Sequence, residues 1–461
     1  MSDTYSQEHS YQEHATEKSE ADSDAHRRVR APVKTPVVPD AEDKPFSHGF
    51  FDKDPATTAA RKVWLKISIF GVLALFLMIW GVLPIYWAAL GRTSNNIHNL
   101  SGYVVDFDGG EIGQAVTQAF KNITSPQQMS WLILDAAQFY GGPDEVAQAL
   151  LDHRCWAAVT INPQASTNLN GSINAANASY NTAQAVTAYL TSGRNENIYN
   201  MLQQVTSILT TISHTFALSS SQRLASRSDI STLLQSVPQL VIQPLAFTIN
   251  DIRPFNVPVA SAVDYVGLIY LLILANQLLA ARVESGFEKR LRLRSLILLR
   301  LLWPVTLYFF VSLMYALLSL AFGVPFGRKF GHAGFVIYWM MSWCAMCALG
   351  LALESMITLL TVKFIPMFLI LWIISNVSVA FYPIEVLPAI FRYGFAMPFY
   401  NVSSTVRTII FDTKNQIGLN FGIQFSWILI SCITLPIFQW FVRRRQIKAL
   451  EASQKAAREK A

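Results

Sequence analysis

Six long runs of mostly apolar residues constrain this chain more than any other feature. They cover residues 67–90, 259–281, 301–324, 333–360, 364–382 and 423–442. An α-helix rises about 1.5 Å per residue, so roughly 20 apolar residues cross a hydrocarbon core of about 30 Å. Charged residues make up only 14% of the chain, whereas a soluble protein averages about a quarter. The sequence therefore predicts a polytopic α-helical membrane protein with six spans.

The apolar runs divide the chain into parts of different character. Residues 1–62 are polar and lack apolar periodicity, which predicts a disordered cytoplasmic tail, either without a role of its own or regulated by phosphorylation. Its first residues have no apolar core, so we expect no cleavable signal peptide. After the first span, at 63–90, residues 91–258 are numerous enough to form a folded domain. Residues 259–442 form a predicted five-span membrane domain, and residues 443–461 form a second cytoplasmic tail.

Basic residues beside the apolar runs predict the orientation in the membrane. Six Lys and Arg residues lie between the ends of the second and third runs, against two Glu residues, and three Arg residues follow the last run. Because cytoplasmic loops carry an excess of Lys and Arg, both termini are predicted to be cytoplasmic and the 91–258 domain extracytoplasmic. The net charge of +6 reflects these flanks, so it does not indicate nucleic-acid binding. Sequons in the predicted outer segments give the glycosylation candidates Asn99, Asn122, Asn170, Asn177 and Asn401.

The 91–258 domain is predicted to have a mixed α/β fold. β-Branched and aromatic residues bounded by turn residues predict strands. The predicted elements are strands at 103–108, 131–134 and 155–161 and short helices at 112–120 and 143–151. Apolar residues recur every three or four positions from Ile198 to Phe216, which predicts an amphipathic helix. An Ala-rich pattern at 174–190 predicts a second helix, and the pair forms either a hairpin on the sheet or a groove for a lipid or partner.

No catalytic or nucleotide-binding motif is present in the sequence. It lacks the phosphate-binding G-x-x-x-x-G-K-[ST] loop, the metalloprotease H-E-x-x-H and the nucleophile G-x-S-x-G, so we predict neither an enzyme nor a cofactor. Cys344 and Cys347 have a C-x-x-C spacing within a predicted span. A structural zinc site needs four ligands, so ordinary helix packing is favoured over a metal or redox site there.

Four polar residues inside the predicted spans are candidates for a transport pathway. They are Glu354, Asn276, Gln277 and Asn376. An unpaired carboxylate is costly in a bilayer, so Glu354 either serves the pathway or pairs with a basic residue of an inner loop. The three amides either line the pathway or join spans by hydrogen bonds.

The segment after the fifth run is rich in proline. Proline lacks a backbone N–H and breaks helices, so residues 383–422 are predicted to form a re-entrant outer loop. Non-helical backbone at membrane depth needs cover from protein or a water-filled cavity. The candidate residues of this loop are Pro383, Glu385, Pro388, Pro398 and Arg407.

Short motifs resemble known membrane-protein families. The Y-P-I-E-x-L-P turn at 382–388, followed by Met-Pro-Phe, resembles the outer re-entrant region of type-2 ABC exporter permeases. The segments at 83–87, 104–108 and 156–158 are similar to those of fungal nitrosoguanidine-resistance membrane proteins, with phage-infection-protein-type membrane proteins as more distant relatives. The resemblance covers roughly residues 63–445.

The resemblance implies a permease-like protein that exports or confers tolerance to toxic amphipathic compounds, or redistributes lipids between leaflets. Its implied partners are membrane lipids, a separate ATPase subunit and a second copy of the chain. The basic residues at 289–294 then either dock the ATPase or bind anionic lipid headgroups. The alternative is a non-transporting protein whose outer domain recruits or regulates partners. Plasma and endosomal membranes both fit a glycosylated outer domain.

Overall fold

The computed structural model of the protein describes residues 48–284 and 286–460. Most of the predicted N-terminal tail therefore lies outside the described residues. Of the described residues, those up to Phe70 belong to one unit and those from Gly71 to another. In the first unit, a helix begins at Pro55, where the carboxylate of Asp54 accepts a hydrogen bond from the Thr57 backbone N–H at 2.9 Å. This N-terminal cap starts the helix before the predicted tail ends at residue 62, so the prediction of disorder was wrong for residues 55–62.

The described residues are mostly helical and include one small mixed sheet. In chain order the helices are α1 Pro55–Gly81, α2 Pro84–Leu90, α3 Glu111–Lys121, α4 Pro143–Leu151, α5 Ala165–Asn174, α6 Tyr199–Leu224, α7 Ile230–Ser236, α8 Pro238–Ile242, α9 Gly267–Glu284, α10 Leu293–Ala321, α11 Gly327–Phe330, α12 Ala333–Ala380, α13 Pro398–Phe411 and α14 Ile417–Lys460. The strands are β1 Ser101–Asp106, β2 Ser130–Leu134, β3 Ala157–Ile161, β4 Val186–Leu190 and β5 Phe247–Asp251.

Four helical segments are long and apolar enough to cross a membrane. They are Pro55–Leu90, Leu293–Ala321, Ala333–Leu360 and Ile417–Glu459, and two shorter apolar helices cover Ala262–Gln277 and Phe364–Ala380. The six segments overlap the six predicted runs, although only the four long ones meet the length of a full span. The last helix continues well beyond residue 442, so the predicted tail at 443–461 is helical as far as Lys460. We interpret this extension as the water-exposed end of α14, because Arg and Lys replace apolar residues there.

The 48-residue helix α12 folds back on itself. Near its start, Gly334 packs against Ile409 of α13, and near its end, the Asn376 side-chain oxygen accepts a hydrogen bond from the Phe399 backbone N–H of α13 at 3.3 Å. A straight helix would separate Gly334 and Asn376 by about 63 Å, whereas Phe399 and Ile409 lie only about 15 Å apart along α13. The chain must therefore reverse direction between Gly334 and Asn376, and we call the apolar segments Ala333–Leu360 and Phe364–Ala380 the first and second arms of α12. The fourth and fifth predicted runs overlap these two arms.

The sheet has the strand order β2-β1-β3-β4-β5. β1 is parallel to β2 and to β3, β3 is antiparallel to β4, and β4 is parallel to β5. Side chains alternate between the two faces of a strand, so Val104 packs in the core with α3, α5 and α6, while Val105 packs with α4. β1, β2 and β3 overlap the predicted strands, and α3 and α4 overlap the predicted short helices.

The predicted Ala-rich helix at 174–190 was wrong. α5 ends at Asn174, and the end of that segment forms β4, whose Val186 and Leu190 are buried between β3 and β5. Ladder pairing on both edges overrode the local helix preference of its alanines. α6 instead confirms the predicted amphipathic helix, with its apolar stripe buried on the sheet.

Candidate functional site

A buried ion pair joins three membrane helices. The Arg300 guanidinium of α10 donates to Glu354 Oε2 through Nη2 at 2.7 Å and through Nε at 3.0 Å, and Glu354 lies on the first arm of α12. Arg300 Nη1 also donates to Gln439 Oε1 of α14 at 2.5 Å. The exposed fractions of the Arg300 and Glu354 side chains are 3% and 0%. The pairing interpretation of Glu354 therefore describes this conformation, in which the carboxylate is fully buried against Arg300.

Arg300 was absent from the predicted candidates, although the sequence contains a signal for it. The buried residues of α10 form one stripe at spacings of four residues, Leu296, Arg300, Pro304, Tyr308, Ser312 and Ala316, with Ser319 three residues later. Arg300 lies on this stripe, so its side chain points toward the neighbouring helices rather than toward the loop.

The amide candidates do not gather around Glu354. Asn276 is half-buried and Gln277 is exposed near the end of α9. Asn376 is buried on the second arm of α12, where it donates to the Trp372 carbonyl and accepts from Phe399 N–H. Asn376 thus fastens the second arm to the first turn of α13.

The prolines of the predicted re-entrant loop begin short helices. Pro383 precedes a 3₁₀-helix at Ile384–Val386, Pro388 precedes a second at Ala389–Ala396, and Pro398 is the first residue of α13. A fixed φ and a missing N–H suit proline to these starting positions. Twelve of the 14 residues of α13 are buried, so this helix lies inside the protein rather than on its surface.

A three-charge cluster lies where α13 meets the start of α9. Arg407 Nη2 is 2.7 Å from Asp264 Oδ2, and both side chains are buried. Asp264 occupies a kink in the π-helical turn Ala262–Val266 that precedes α9. Glu196, before α6, accepts a hydrogen bond from Ser261 Oγ at 2.7 Å. Burial, and to a smaller extent the nearby Asp264, raise the pKa of Glu196.

A second polar cluster lines a cavity of about 60 Å³ between the sheet domain, residues 91–258, and the segment 380–416. The Arg194 guanidinium lies 3.3 Å from the centre of the Trp156 ring, donates to the Cys155 carbonyl, and is 3.8 Å from Glu385 Oε1. Burial lowers the pKa of Arg194 to about 10, so it remains charged at neutral pH. Burial and the charge of Arg194 lower the pKa of His153 to about 2, so this imidazole is neutral. A polar cavity of this size holds a few water molecules.

Two grooves lie on either side of the 3₁₀-helix Ala389–Ala396. The apolar groove, of about 700 Å³, is bounded by α2, the second arm of α12 and this 3₁₀-helix, and its wall includes Ile85, Ala88 and Trp372. The polar groove, of about 740 Å³, is bounded by the chain after α2 and the other side of the 3₁₀-helix, and includes Arg92 and Arg392. Neither arginine was a predicted site residue, because the two lie about 300 positions apart in the sequence.

The predicted glycosylation sites differ in their surroundings. Asn122, Asn170 and Asn177 are exposed on the sheet domain. Asn99 is exposed too, but its side-chain N–H donates to the Glu385 carbonyl at 3.1 Å. Asn401 is only 2% exposed, and its amide donates to the carbonyls of Phe395 and Met397. The prediction of a glycan at Asn401 therefore does not fit the folded structure, since the buried first turns of α13 leave no room for one.

Comparison with known proteins gives a family and a curated relative. The family model described as "Protein of unknown function (DUF3533)" matches residues 71–433. The chain is also similar to the Saccharomyces cerevisiae protein named "Uncharacterized endoplasmic reticulum membrane protein YJR015W". The two are 26% identical over an alignment of 462 residues including gaps, which covers 91% of this chain and 89% of that protein. No solved structure matches the chain. Since the match spans most of the chain, this membrane protein belongs to the DUF3533 family.

Proposed function

We propose that this protein takes amphipathic molecules from the membrane and moves them between its two leaflets, with lipids as the main cargo. The apolar groove carries this proposal. Eight of its twelve lining residues come from two apolar helical segments, Pro55–Leu90, which is long enough to cross a membrane, and the shorter Phe364–Ala380, and its volume is within the range of pockets that hold small molecules. A concave apolar surface at that depth is bathed in lipid, so its natural occupant is an acyl chain or the apolar part of a similar molecule.

The proposed topology has six crossings, with both termini in the cytoplasm and the sheet domain on the opposite side. The two short apolar helices complete the six, because each packs within the bundle beside longer helices and a kinked or short span fits where protein covers it. The name of the yeast relative supports the endoplasmic reticulum as the membrane, and the sheet domain then faces the lumen.

The alternative function, recruitment of partners by the outer domain, fits less well with how that domain is attached. Side chains of the domain bond to the backbone of the segment that shapes both grooves: Asn195 and Asn197 donate to the Phe381 carbonyl, and Asn96 donates to the Val386 carbonyl. A freely acting recruitment module would not need bonds to this segment. We therefore propose that the sheet domain works together with the membrane helices.

Retention of amphipathic probes in cells tests the function. Cells lacking the protein are complemented with the wild type, with Ala88→Trp, which fills the apolar groove, or with Leu298→Trp, which adds the same ring on the exposed face of α10. We expect the wild type and Leu298→Trp to change the retention of a fluorescent phospholipid, and Ala88→Trp to behave like the empty vector. Equal retention in cells with and without the wild-type protein would overturn the proposal.

The proposed partners have their own test. Co-purification from the same cells asks whether a separate ATPase or a second, differently tagged copy of the chain accompanies the wild type. A chain that purifies alone in mild detergent contradicts both partners without affecting the lipid groove.

A further inference from the structure

The 3₁₀-helix Ala389–Ala396 sorts its side chains onto three faces. With three residues per turn, positions three apart lie above one another. Phe391 and Gly394 form the buried face, and Phe391 also reaches the wall of the apolar groove. Arg392 and Phe395 line the polar groove, and Ile390 and Tyr393 line the apolar groove. The helix thus presents an apolar face to the apolar groove and a face that carries Arg392 to the polar groove.

The face of α2 makes the same transition. Ile85 and Ala88 line the apolar groove, and Arg92, which follows the helix, lines the polar groove. These positions are spaced by three and four residues, so they follow one side of the helix and its extension. Two separate segments, α2 with the chain after it and the 3₁₀-helix Ala389–Ala396, therefore each contribute apolar residues to the apolar groove and an arginine to the polar groove.

The polar groove carries uncompensated positive charge. Arg92 and Arg392 are both exposed. Within residues 48–284 and 286–460, neither forms an ion pair. Glu385 also lines this groove, but its carboxylate is directed toward Arg194, at 3.8 Å. An anionic group at the membrane surface would complement the positive charge of this groove.

We propose that the two grooves together bind one glycerophospholipid, with its acyl chains in the apolar groove and its phosphate between Arg92 and Arg392. This inference rests on the proposed function and specifies its cargo. A guanidinium presents paired N–H donors that match phosphate oxygens, and such charge-assisted bonds are stronger than neutral ones. The same two charges repel a cationic amphiphile, so the site selects phospholipids over cationic drugs of similar apolar size.

Binding of three matched probes to the purified full-length protein tests the assignment. The probes are dioleoyl phosphatidic acid, dioleoylglycerol, which has the same chains without phosphate, and the cationic dye rhodamine 6G. We expect the wild type to bind the phosphatidic acid at least about tenfold more tightly than the other two. Arg92→Gln with Arg392→Gln should remove that preference and leave dioleoylglycerol binding unchanged. Lys121→Gln, an exposed cation of the sheet domain, is the matched control and should change nothing.

The outcomes distinguish failure of the phosphate site from failure of the proposed function. If the wild type binds phosphatidic acid and dioleoylglycerol equally, and the double arginine variant changes neither, the phosphate site is overturned while the apolar groove stands. If none of the probes binds more tightly to the wild type than to Ala88→Trp, the apolar groove is not a binding site and the proposed function fails as well. Partial recovery of the preference by Arg92→Lys with Arg392→Lys would support recognition of phosphate by charge.

Discussion

At the scale of single residues, the Arg300–Glu354 pair determines how the membrane helices hold together. Both side chains are buried and pair with each other, and Arg300 also donates a hydrogen bond to Gln439. Removing one partner of such a pair costs about 3–5 kcal/mol, because a charge remains buried without its counter-charge. We expect Glu354→Gln to lower the thermal unfolding midpoint of the detergent-purified protein markedly, whereas Arg294→Gln, at an exposed position of α10, should leave it unchanged.

A double variant, Arg300→Met with Glu354→Met, extends this test. Apolar side chains of similar length remove both charges at once, so the double variant should be more stable than Glu354→Gln. A Glu354→Gln protein that unfolds like the wild type but loses phospholipid retention in cells would contradict the structural role and return Glu354 to the transport pathway.

Glu196 gives the stability of the protein a pH dependence with a definite sign. Its pKa is raised above the ordinary value of 4.5 in the folded protein, so the folded state binds the proton more tightly than the unfolded state does. The stabilisation from this group is fully present below pH 4.5 and is lost as the pH rises through the folded-state pKa. We expect the difference in unfolding midpoint, wild type minus Glu196→Gln, to fall as the pH increases from 4 to 8. Glu451→Gln, exposed on α14, should give a curve parallel to the wild type.

At the scale of elements, the packing of the 3₁₀-helix Ala389–Ala396 against α12 determines the shape of both grooves. A Cβ on Gly394 would lie 2.5 Å from the Cβ of Val379 on the second arm, so alanine there must push the two elements apart. We expect Gly394→Ala to cost about 1–3 kcal/mol of stability and to weaken binding of dioleoyl phosphatidic acid. Gly418→Ala on α14, where a new Cβ meets nothing within 4 Å, is the control. Unchanged lipid binding by Gly394→Ala would show that the packing of the 3₁₀-helix Ala389–Ala396 on α12 does not shape the lipid site.

The elements also mark where sequence reasoning succeeds and where it stops. Run length and apolar content located the membrane helices, because those properties are local. β4 was missed because its strand character comes from pairing with β3 and β5, which lie elsewhere in the chain. Proline spacing drew attention to residues 383–398, but no local pattern could join that segment to Arg92. Their proximity depends on contacts such as Asn96 to Val386, which are 290 residues apart.

At the scale of the whole molecule, the orientation of the sheet domain governs every functional argument, since it decides which leaflet the two grooves face. The proposed six crossings would keep both termini on one side, and glycosylation of the exposed sequons would report on the other side. With the sheet domain in the lumen, Asn122, Asn170 and Asn177 should carry glycans, and endoglycosidase treatment should increase the gel mobility of the wild type. Gln at all three positions should remove most of the shift, whereas Asn401→Gln should leave it intact because Asn401 is buried. A wild-type protein that the enzyme does not shift would contradict the lumenal orientation, and the grooves would then be assigned to the cytoplasmic leaflet.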